Sequence, residues 1–170
     1  MTADHAPPAG HDAPGALRCV LLALVVLTTL GLIAELLLLE HFESWQQWMP
    51  LALLGLVLVS CIAVVLRPGR RALRVFRVLM ALCVLVGLLG VYLHYSGNVE
   101  FELERDPGLG ALPLFWESIR GATPTLAAGA LSQLGLLGLV YAFRHPMLKS
   151  PSTRRSGHAP GLAADTHHQE

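Results

Sequence analysis

Few residues in this chain could do chemistry, and they lie in places where polar groups are costly. Glu35 sits inside an apolar run, about five residues before its end, roughly 8 Å deep at 1.5 Å per residue. An ionisable group at that depth is expected to face other helices or a water-filled cavity, and is a functional candidate by default. The competing role is an interfacial carboxyl reaching up to the headgroups. His41 follows the same run, next to Glu40, and His94 lies near the end of another. Imidazole and carboxylate together suit a divalent transition metal, and two histidines from different helices could hold a haem b. No H-x-x-H spacing brings them together, so any such site must be assembled by packing. The plainer reading is a belt of Trp45, Trp48, Tyr92, Tyr95, Trp116 and the histidines at helix ends. Ser132 and Gln133 lie mid-way along the last apolar run, beside Gly129, Gly135 and Gly138. Small residues with a buried hydroxyl or amide fit close helix packing, or contact with a transported solute.

Motifs for hydrolysis or nucleotide binding are absent: there is no G-x-S-x-G, H-E-x-x-H or G-x-x-x-x-G-K-[ST]. The cysteines Cys19, Cys61 and Cys83 form no C-x-x-C pair and lie within apolar runs, where they read as small hydrophobes. No enzyme activity, cofactor or nucleic-acid partner is therefore expected. A divalent metal or haem b at His41, His94 and Glu40 stands as the alternative.

The elements that must position these residues are four long apolar segments. The chain is 54% hydrophobic and 14% charged, with the apolar residues gathered in blocks. A bilayer needs about 20 residues per helix. The expected spans are about 17–39, 49–66, 75–95 and 124–143, in one transmembrane domain over 16–145. Polar, disordered tails are expected at 1–15 and 146–170. The first run continues into Glu35 and Glu40 without a cleavage site, so it reads as a retained helix.

Basic residues alternate with the runs. The connection between spans two and three holds Arg67, Arg70, Arg71, Arg74 and Arg77, and the first connection holds no Lys or Arg. Of the 12 Lys/Arg, all except Arg105 and Arg120 fall on one side of a four-span arrangement. Both termini are then cytoplasmic, in what reads as a bacterial inner membrane. Arg67, Arg70, Arg74 and Arg77 share a helical side, which with Arg71 could meet anionic lipid headgroups.

On the other side, Ser96-Gly97-Asn98 reads as a helix break. Val99 to Glu104 then alternates apolar and acidic, the period of a half-buried strand carrying Glu100, Glu102 and Glu104 on one edge. Pro107 to Pro113 reads as loop. Leu114 to Arg120 reads as a short interfacial helix stopped by Gly121, with Thr123 and Pro124 starting the last span. The fold expected is all-α. The function expected is a non-catalytic accessory subunit or self-associating membrane protein. A small transporter using Glu35 and Gln133 is the second reading, and a metal or haem protein the third.

Overall fold

The computed structural model describes residues 13–40, 44–121 and 125–148. Among them every regular element is helical: α1 (Ala13–Leu38), α2 (Trp45–Leu66), α3 (Arg70–Arg105), α4 (Ala111–Arg120) and α5 (Gly129–Ala142). A short 3₁₀ turn, Pro146–Leu148, follows. Three helices, α1, α2 and α3, are long and apolar enough to cross a membrane. At 1.5 Å per residue they measure about 39, 33 and 54 Å, against a hydrocarbon layer of about 30 Å. They are apolar nearly all round: Leu27, Val59, Val78 and Leu85 are exposed on their outer sides. A helix of that kind needs either a surrounding core or lipid.

The helices begin and end for local reasons. Ser44 precedes α2, and the Gln47 side chain accepts its backbone N–H at 3.0 Å. This first turn, Trp45 to Trp48, places Pro50 inside the helix rather than at its start. Pro50 has no N–H, so the Gln46 carbonyl receives no bond from it. Pro68 and Gly69 separate α2 from α3, since proline cannot continue the helix and glycine follows it in the turn.

The strand expected at Val99 to Glu104 does not form. α3 runs without a break through Ser96, Gly97 and Asn98 to Arg105. The alternation conceals helical pairs: Asn98 with Glu102 and Glu100 with Glu104, each at i, i+4. Tertiary contact selects the helix. Asn98 and Glu102 are buried where α4 packs on α3, while Glu100 and Glu104 stay exposed. The three acids therefore do not share an edge. α4 also starts earlier than expected, at Ala111, because Pro113 falls in its first turn, where no N–H is needed.

The last helix is shorter than the expected 124–143. Residues 125–128 form turns, with i to i+3 bonds from Gly129 to Leu126 and from Ala130 to Ala127. Thr123 and Pro124 lie outside the described residues, as do the tails up to residue 12 and from 149. Residues 146–148, assigned to the polar tail, instead make a turn whose Leu148 packs against the core.

α1 packs on α2 and α5, and α3 packs on α2 and α5, so these contacts close a circuit. The core inside it comprises Val25, Leu54, Val57, Leu73, Phe76, Met80, Cys83 and Leu134. The tightest contact is α3 on α5. A Cβ on Gly135 would lie 2.5 Å from the Met80 carbonyl oxygen. One on Gly87 would lie 2.5 Å from the Ser132 nitrogen. Ser132 donates its hydroxyl to the Val84 carbonyl at 2.9 Å.

Candidate functional site

The close α3–α5 approach is built from small residues, and at the end nearest the α1–α2 connection those residues leave space. Gly87 and Gly90 of α3 face Ser132 and Ala128. Residues 125–128 are loosened into turns, which draws the chain away from an ideal helix there. A cavity of about 530 Å³ lies at this end, lined from α1, α2, α3 and the start of α5. That volume is within the range of about 300 to 1,000 Å³ typical of small-molecule sites.

Its walls are mostly apolar: Leu32 and Leu36 from α1, Leu54 from α2, Val86 and Leu93 from α3, and Leu131 from α5. Leu54 and Leu131 belong to the buried core and close the inner side. Four side chains supply polarity: Glu35, Gln46, Gln47 and His94. Glu35 and His94 are the ionisable groups on the lining, and no Lys or Arg contributes to it. Exposed Leu39, Leu89 and Leu93 form part of the rim. The arrangement is an apolar chamber with one carboxyl, one imidazole and two amides.

Glu35 and His94 are thus brought to one cavity. Gln133 is not: it is exposed on α5 and does not line the cavity, whereas its neighbour Ser132 is buried against α3. His41 lies outside the described residues. Glu40, exposed and with a left-handed φ of 49°, follows α1. Among the described residues no three His, Cys, Asp or Glu side chains gather as a metal site. Arg67, Arg70, Arg71, Arg74 and Arg77 are all exposed, opposite Leu73 and Phe76, which are buried.

Gln46, Gln47 and Asn98 have positions in the structure that the sequence alone did not suggest. The first two had a signal: adjacent amides between two tryptophans at the start of an apolar run. Asn98 was misread as a helix breaker. Its amide donates to the Ser118 carbonyl at 2.9 Å and to the Thr125 hydroxyl at 3.0 Å. Thr125 in turn donates to the same carbonyl at 3.2 Å. Glu102, one turn on, pairs with Arg105 at 2.6 Å. Gly121 passes so close that a Cβ there would lie 2.5 Å from Asn98 Cγ.

At the opposite end His145 is buried beside Tyr141, their rings 5.6 Å apart, and its Nδ1 accepts the Met147 N–H at 3.4 Å. Burial holds its pKa below the ordinary histidine value, and the charge of Arg18 adds to the effect.

No protein-family model, curated protein or solved structure matches the chain.

Proposed function

We propose that this chain is a four-span integral membrane protein with both termini in the cytoplasm, suited to a bacterial inner membrane. It acts by binding rather than catalysis and holds a small ligand in the outer half of a four-helix bundle. The observation that carries this reading is the cavity: about 530 Å³, apolar walls, and a polar end formed by Glu35, Gln46, Gln47 and His94.

The fourth span is supported by pairing with α3. Thr125 meets Asn98, and Tyr141 meets Phe76 with ring centroids 5.4 Å apart. Those contacts are separated by 22 residues of α3, about 33 Å of helix. From Thr125 to Tyr141, four steps through the turns at about 2 Å each and twelve along α5 at 1.5 Å give about 26 Å. The loosened start lengthens what so short a helix spans. The arginine cluster at the α2–α3 connection supports the orientation.

The test is native mass spectrometry of protein extracted in mild detergent. The parent should retain a bound small molecule, and Leu36→Trp, which fills the cavity, should lose it. A ligand-free parent, or retention undiminished in Leu36→Trp, ends this reading.

A second reading, an accessory subunit of a larger membrane complex, is favoured by the α3–α4 cap. There Glu100 and Glu104 are exposed beside exposed Phe101, Leu112, Phe115 and Trp116. Glu100→Lys with Glu104→Lys should then abolish co-purification of a partner from native membranes.

A further inference from the structure

The chemistry of the cavity narrows its ligand. We propose that it takes a single-chain amphiphile with a cationic nitrogen head, the ammonium against Glu35 and the chain along Leu36, Leu54 and Val86. This inference rests on the binding reading above and gives it a ligand class.

Three observations carry it. The carboxyl of Glu35 is on the lining, with no Lys or Arg there to pair with it. The amides of Gln46 and Gln47 line the cavity with Glu35 and add no charge that would repel a cation there. The rim carries exposed Leu39, Leu89 and Leu93, so a ligand entering there keeps contact with hydrocarbon throughout. A hydrophilic solute would have to leave water to pass that rim, whereas an alkyl chain would not. The first turn of α2 also borders the cavity, and a helix N-terminus favours an anion. Its strength is roughly half a charge, less than the full charge of a carboxylate. The carboxylate therefore selects the cation, and an alkyl sulfate is the discriminating competitor.

The probes are octyltrimethylammonium, octyl sulfate and octanol, each titrated into the full-length protein in neutral detergent. Trp45 and Trp48, which flank Gln46 and Gln47, report by fluorescence, with Trp116→Phe removing the third tryptophan. Octyltrimethylammonium should bind saturably and at least about ten-fold more tightly than octyl sulfate. Glu35→Gln keeps the shape and removes the charge. It should weaken the ammonium by about ten-fold, equivalent to about 1.4 kcal/mol, and leave octanol unchanged. Saturable octanol binding without preference for the ammonium, or an ammonium affinity untouched by Glu35→Gln, overturns the ligand class but leaves the binding reading standing. No saturable binding of any probe overturns both. The amine can come from the membrane's own lipids or from a soluble amphiphile. Nanodiscs of phosphatidylglycerol alone, compared with nanodiscs also containing the single-chain lipid lysophosphatidylethanolamine, separate the sources. Competition by the amine lipid identifies the lipid, and unchanged affinity identifies the soluble amphiphile.

Discussion

Asn98 is the residue whose environment differs most from its local sequence preference. Asparagine and a neighbouring glycine favour turns, yet here the Asn98 amide bonds α3 to the end of α4 and to Thr125. Breaking a buried bond of this kind costs about 1 to 3 kcal/mol when a partner is left unsatisfied. Asn98→Leu should lower stability by that amount and free α4, so limited proteolysis between Asp106 and Gly110 should accelerate. An unchanged cleavage rate would mean that apolar contacts alone hold α4. His145 carries a pH dependence. Its folded pKa is lowered by burial and Arg18, while in the unfolded chain it titrates near about 6.5. Above that value both states are neutral and the residue has no effect. As pH falls below it, the unfolded state takes the proton first, and stability is lost until the lowered folded value is passed. The unfolding temperature should therefore start to drop as pH falls below about 6.5, before carboxylates titrate near about 4. His145→Gln, which keeps an acceptor but cannot titrate, should flatten the curve in that window.

Among the elements, the α3–α5 pair sets the geometry of the cavity. None of the described glycines has a positive φ, so their value there is space rather than backbone freedom. A methyl group at Gly87 meets Ser132, whereas one at Gly31 or Gly55 meets nothing within 4 Å. Gly87→Ala should force the two helices apart and cost about 1 to 3 kcal/mol. Gly31→Ala and Gly55→Ala should be neutral, or stabilising by up to about 1 kcal/mol through helix propensity. Thermal unfolding in one detergent compares all three directly. Equal behaviour would show that the α3–α5 contact is not the tight one. The same small residues were visible in the sequence, but which of them oppose one another was not. Gly31 and Gly87 look alike until the helices are packed.

For the whole molecule the decisive measurement is topology. A reporter active only outside the cytoplasm should be silent after Arg74, active near Gly108 and silent after Leu148. The last fusion separates four spans from three: an active reporter there would place α5 and its preceding turns outside the membrane core. The overlong α3 adds a second check. At about 54 Å it exceeds the hydrocarbon layer by roughly 24 Å, so Glu104→Cys should react with a membrane-impermeant maleimide added from outside.

An all-helical chain with four apolar spans was legible in the amino-acid order, and three of those spans form helices long and apolar enough to cross a membrane. Those properties are local, because a continuous apolar run and a Pro-Gly turn carry their meaning without reference to distant residues. The apolar run also marked Glu35 as unusual, since a carboxyl there is costly wherever the helix lies. Tertiary structure decided the rest. The period-two pattern at Val99 to Glu104 was outweighed because α4 offered Asn98 and Glu102 a surface that no nearby strand could offer. Pairing with α3 set where α5 begins and loosened the turns before it. The cavity exists only where four segments distant in sequence meet, so Glu35 and His94, 59 positions apart, share it while Ser132 and adjacent Gln133 face opposite ways. A helix turns each successive side chain by about 100°, and only the neighbouring helices decide which direction becomes the inside.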